Sequence, residues 1–147
     1  MCFDCFNWLA ADAPRNEEDV LTLKNLHHIL GINLKLDTTY EQETLNVIEK
    51  AASQLVALDL AESTFSGEGL VGLDINLPML EKLVLGGNPY LTIEGVRELL
   101  TRCSATLKDL NLNGTNMGGE GLENVHVLKL EKLDLAGSKV SNTGLQQ

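Results

Sequence analysis

The residues able to do chemistry are few and scattered. Cys2 and Cys5 stand in a Cys-x-x-Cys spacing and His27-His28 supply imidazoles, so the first chemistry to weigh is zinc coordination. A closed zinc site needs four ligands. The sequence has no second Cys-x-x-Cys, and adjacent histidines are not a usual ligand pair, so neither a metal nor a cofactor is expected. Acylation of Cys2 or Cys5 would lack the second signal that stable anchoring needs. Cys103 and His126 stand alone; no Gly-x-Ser-x-Gly occurs, and no phosphate-cradling glycine loop follows a strand. No catalytic residue is assigned, and an enzyme is not expected. A hydrolase would reveal itself by an active-site-directed probe labelling Cys2, Cys5 or Cys103.

Composition narrows the remaining classes. At 147 residues the chain can bury one continuous core, and with 4% aromatic residues that core must be aliphatic. A formal net charge of −10 disfavours nucleic acid and anionic membrane, which require clustered cations. It leaves protein partners, basic ones especially. No stretch approaches the roughly eighteen uninterrupted apolar residues of a membrane span. The opening "MCFDCFNWLAADAP" lacks a cationic n-region and carries Asp4 in its apolar part, so it is not read as a secretory signal. Three scattered cysteines argue against a disulfide framework, and an intracellular, cytoplasmic setting is expected.

What the sequence does carry is a repeat. "LVALDLAESTFSGEGL", "LEKLVLGGNPYLTIEGV", "LKDLNLNGTNMGGEGL" and "LEKLDLAGSKVSNTGL" align on Leu55, Leu80, Leu107 and Leu130. Pairs two residues apart follow: Leu58/Leu60, Leu83/Leu85, Leu110/Leu112 and Leu133/Leu135. Leucines at that spacing on an extended segment point the same way, toward one interior. Ser63, Asn88, Thr115 and Ser138 then stand where a side chain can hydrogen-bond the backbone of the turn leaving the strand. Next come Phe65, Leu91, Met117 and Val140, followed by Ser66, Thr92, Gly118 and Ser141 as helix N-caps. Glu68, Glu94 and Glu120 complement the helix dipole, and Leu70, Val96, Leu122 and Leu145 turn inward. "TIEGVRELLTRC" is the clearest helix, with Ile93, Val96 and Leu100 on one face. Upstream, "INLKLDTTYEQETLNVIEK" reads as a degenerate first coil. Leu34 and Leu36 would match Leu58 and Leu60, and Leu45 and Ile48 would line its helix. Residues 17–30 read as an N-terminal capping helix.

The pattern L-x-x-L-x-L-x-x-[N/S/T], with 25, 27 and 23 residues between Leu58, Leu83, Leu110 and Leu133, resembles the leucine-rich-repeat superfamily over residues 31–145. The "[ST]-x-x-G-[LV]" half is most similar to the cysteine-containing and ribonuclease-inhibitor-like classes, which serve intracellular protein recognition. Cys103 falls where those classes often carry a cysteine. The resemblance implies an α/β solenoid, with short parallel strands on a concave face and short helices on a convex one. Residues 1–30 would form the N-terminal segment and cap, and residues 31–147 about five coils. It implies a non-catalytic interaction module or scaffold subunit of an intracellular complex. The alternative is the recognition arm of an F-box-type ubiquitin ligase, because "MCFDCFNWLAADAP" resembles the aromatic-rich helical tail of an F-box.

In that architecture the x positions beside the leucines, from Val56 and Ala57 onward, are exposed. Candidate partner-binding residues on the concave face are Asp59, Glu62, Lys82, Val84, Lys108, Asp109, Asn111, Asn113, Lys132 and Asp134. The column Ala61, Gly86, Asn113, Ala136 is small throughout, which would let another backbone approach. Glu81/Lys108 and Lys108/Glu131 are expected to offset each other across strands. A second candidate is the C-terminal edge, where Leu133, Leu135, Val140 and Leu145 would have no next coil above them. Three alternatives are open there: a longer solenoid of which this stretch is a fragment, a covering partner or self-association, or a last coil short enough to tolerate exposure.

Overall fold

A computed structural model describes residues 8–12, 31–35, 41–70, 74–117 and 129–139. The proposed cap at 17–30, the caps Gly118 and Ser141, and Val140 and Leu145 lie outside them. Among the described residues six strands form one sheet in sequence order, every neighbour parallel. They are β1 (Trp8–Asp12), β2 (Gly31–Lys35), β3 (Ala57–Asp59), β4 (Lys82–Val84), β5 (Asp109–Asn111) and β6 (Lys132–Asp134). Helix α1 (Glu41–Ala51) lies between β2 and β3, and α2 (Ile93–Cys103) between β4 and β5. Among the described residues no helix is long and apolar enough to cross a membrane.

The leucine columns build the interior as their spacing requires. Leu55, Leu58, Leu60, Leu80, Leu83, Leu85, Leu107, Leu110 and Leu112 are fully buried, in one cluster with Leu45 and Ile48 of α1 and Val96 and Leu100 of α2. Leu58, Leu83, Leu110 and Leu133 stand in mutual register. The interstrand bonds recur coil by coil and outlast the short strands. Glu62, Gly87 and Gly114 each donate an N–H, at 2.8 Å, to the carbonyls of Gly86, Asn113 and Ala136. One bonding unit is therefore repeated, which identical side-chain columns dictate.

The helical halves differ, and composition explains why. "TIEGVRELLTRC" is rich in helix formers, and Thr92 caps it: its Oγ1 accepts the Gly95 N–H at 3.1 Å. "SGEG" offers two glycines within four residues, so the preceding coil forms only a 3-10 turn over Glu68–Leu70, where the Glu68 N–H donates to Ser66 Oγ.

Two features depart from the sequence reading. Ile32, not Leu34, is in register with Leu58, so the first coil is two residues longer than the leucine match implied. A slip of two preserves which face each residue takes, so alternation alone could not distinguish the two registers. Trp8–Asp12 also forms a strand, pairing with β2 from Trp8↔Gly31 to Asp12↔Lys35. The sheet thus continues into a segment that the repeat pattern did not single out.

Candidate functional site

The face of the sheet turned away from the leucines gathers most of the sequence-predicted residues. Strand alternation places Asp59, Val84, Asn111 and Asp134 in one row and Lys82, Asp109 and Lys132 in the next. All are at least partly accessible. Lys108 Nζ lies 3.0 Å from Glu81 Oε1, the offset expected from the spacing, and Lys82 Nζ lies 3.9 Å from Asp109 Oδ2. Both pairs are part-exposed, so each contributes about 0–1 kcal/mol and mainly orders the charges in a fixed pattern.

Three members of the first row fold back on their own coils. Asp59, Asn111 and Asp134 accept the N–H of Ala61, Asn113 and Ala136 at 3.0, 2.9 and 3.0 Å. Each such turn fixes the carboxylate or amide at the strand exit. Val84 lacks this capacity, and leaves an apolar step among the polar residues of the row. Asn113 Nδ2 reaches Asp134 Oδ2 at 3.3 Å.

Two expectations for this face are corrected. Ala57 is fully buried rather than exposed, because a single methyl on an inner strand is shaded by its neighbours. Nor is the small column an open trough throughout. A Cβ at Gly86 would fall 2.2 Å from Asn113 Oδ1, so the Asn113 amide already fills the space above that glycine.

Glu62 stands apart from the rows, exposed at the turn, with φ of 51°. The equivalent positions in the next three coils are Gly87, Gly114 and Gly137, with φ of 70°, 59° and 68°. A left-handed conformation costs a side-chain-bearing residue about 1–2 kcal/mol. Part of that is recovered in the unfolded chain, since glycine loses about 0.5–1 kcal/mol more on folding. Glu62→Gly should therefore stabilise the protein by about 0.5–1 kcal/mol, read as a higher midpoint in urea unfolding. A lower midpoint would show that the carboxylate contributes more than the strain costs.

The small polar column does the work its position suggested. Asn88, fully buried, donates from Nδ2 to the carbonyls of Leu60 and Leu85, both at 2.8 Å, and accepts the Phe65 N–H at 3.0 Å. Thr115 donates to the Leu112 carbonyl at 2.7 Å, and Ser63 to that of Ala61 at 3.2 Å. The sequence reading missed Arg102. Its guanidinium donates to the carbonyls of Ile75 at 2.6 Å and Leu70 at 3.3 Å, and pairs with Glu98 at 3.2 Å, tying α2 to the preceding coil. Nothing in the helical pattern distinguishes it from any surface arginine one helical turn beyond a glutamate.

Chemistry of another kind is absent at the one described cysteine. Cys103 is buried at the end of α2, donating to the Leu99 carbonyl, and burial pushes its thiol up from 9.0 to about 12. Alkylation at pH 8 should leave Cys103 unmodified in the native chain and label it fully in denaturant, as read by peptide mapping. The sign of the linkage follows. Between pH 9 and about 12 the folded thiol keeps a proton that the unfolded one releases, so this group makes stability fall as pH rises through that window. Among the described residues no group of three or more His, Cys, Asp or Glu is placed to hold a metal ion; Cys2, Cys5, His27 and His28 lie outside them.

At the C-terminal edge, Leu133 is 44% exposed and Leu135 is half-buried against the core. The other leucines of their columns are fully covered.

A comparison with curated proteins finds no significant match. A family model described as Leucine Rich repeat matches residues 103–125, a stretch that includes β5. That match, with the same bonded unit of strand, capped turn and inward leucines recurring on either side of it, supports leucine-rich repeat membership.

Proposed function

We propose that this chain is a non-catalytic protein-interaction module, a rigid curved solenoid that holds a protein partner against the concave face of its sheet. The supporting observation is the ordered polar face itself. Asp59, Asn111 and Asp134 are held by backbone N–H groups, Lys82 and Asp109 by each other and Asn113 by Asp134, so these side chains have little freedom left to lose on binding, with Lys132 exposed beside them. A leucine-rich repeat has protein binding as its usual work, and the net charge of −10 favours a basic partner in an intracellular complex.

The test compares capture of partners from native cells by the wild-type chain, by Val84→Glu and Asn111→Lys on this face, and by Arg97→Glu on the helical side. Loss of the same partner with the first two and its retention with the third is the expected result. Loss with Arg97→Glu alone would move the contact to the other side and defeat the proposal. The ubiquitin-ligase alternative gains no support from the strand at Trp8–Asp12, since the resemblance rested on a helical tail. Adaptor binding through residues 1–20 would revive it.

A further inference from the structure

Among the described residues, two rows of charge with alternating sign cross the sheet as far as β6. One is Lys82, Asp109, Lys132; the other is Glu81, Lys108, Glu131. Each inner charge has a neighbour of opposite sign, at 3.9 Å for Lys82 and Asp109 and 3.0 Å for Lys108 and Glu81. Lys132 and Glu131 are exposed at the edge strand of the sheet. Between Lys132 and Asp134 sits Leu133, exposed although its column partners Leu58, Leu83 and Leu110 are fully buried. The Lys132 N–H donates to the Lys108 carbonyl, and the Asp134 carbonyl accepts from Leu112. Strand alternation therefore turns the N–H and C=O of Leu133 to the outer edge.

We propose that β6 pairs antiparallel with the β6 of a second copy of this chain, about a twofold axis at Leu133. The register is dictated by charge. A twofold axis perpendicular to the sheet places identical residues opposite each other where it crosses. On Glu131, Lys132 or Asp134 it would set like charges directly opposite, which is destabilising. On Leu133 it sets leucine against leucine and brings Lys132 of each copy across from Asp134 of the other. The two Leu133 backbones then exchange both of their hydrogen bonds, as a hydrogen-bonded antiparallel pair requires. The contact is isologous and closed, whereas β6 against another copy's β1 would be head-to-tail and open. Lys132 and Asp134 lie on both this edge and the face proposed above, but sedimentation of the chain alone reads only the dimer, so either reading can fail without the other.

Sedimentation velocity of the 147-residue chain over a concentration series tests it. A monomer–dimer equilibrium is expected. Lys132→Asp and Asp134→Lys should each weaken the dimer roughly tenfold or more, because both ion pairs become like-charge contacts. An equimolar mixture of the two variants should dimerise again, since opposite signs then face each other at both positions. Far-UV circular dichroism and urea midpoints establish that the variants fold. A wild-type monomer at every concentration, growth without limit, variants that dimerise like the wild type, or folded variants whose mixture stays monomeric would each overturn the proposal.

Discussion

Asn88→Ala should destabilise the protein by about 3–5 kcal/mol, the largest loss expected from any single substitution outside the aliphatic core. The amide ties two coils. It donates to Leu85 in its own coil and to Leu60 in the preceding one, while the Phe65 N–H donates back to it. Alanine leaves all three backbone groups without that partner in a fully buried site. An unsatisfied buried group costs about 1–3 kcal/mol, and domains of this size hold only about 5–15 kcal/mol in total. Asn88→Asp should not rescue, because it keeps the acceptor, removes both donors and buries a charge. Thr115→Ala, at the matching position, should cost only about 1 kcal/mol, since Thr115 caps a carbonyl of its own coil alone. Chemical denaturation measures all three. A loss below that of Thr115→Ala would refute the claim that Asn88 joins the coils.

Gly67→Ala should cost about 3 kcal/mol, for two additive reasons. Gly67 has φ of +80°, and a Cβ there would meet the Gly95 Cα at 2.7 Å, a backbone atom that cannot rotate away. The reciprocal contact from Gly95 is equally tight, 2.7 Å to the Gly67 Cα and 2.8 Å to the Ser66 carbonyl. Gly95, however, lies inside α2, where alanine gains about 1 kcal/mol in helix propensity. Gly95→Ala should therefore lose stability, but less than Gly67→Ala. If the order were reversed, the left-handed backbone at Gly67 would not be the deciding term. If neither change mattered, the close stacking of these two coils would be wrong.

Much of the candidate site was legible as positions and little of it as contacts. The residues facing away from the core at β4, β5 and β6 follow from the leucine spacing, and so does the Glu81/Lys108 pair. The folding back of Asp59, Asn111 and Asp134 onto the backbone was not foreseen, nor the seating of Asn113 over Gly86. Each depends on whether a short polar side chain satisfies itself locally or reaches outward, and residue type leaves both open.

The sequence by itself determined the columns: which leucines point inward, that Ser63, Asn88 and Thr115 can bond the backbone where the chain leaves the strand, and that Thr92 begins a helix. These rest on alternation and on capping chemistry within a few residues, which any single coil displays. The tertiary structure alone decided what joins one coil to the next. It chose Ile32 over Leu34 opposite Leu58, reached across with Asn88, brought Gly67 against Gly95, and aimed Arg102 at carbonyls in the preceding coil. Those partners lie more than twenty residues apart in the chain, and a two-residue slip changes no facing. Only the bonds between strands could fix which coil residue meets which.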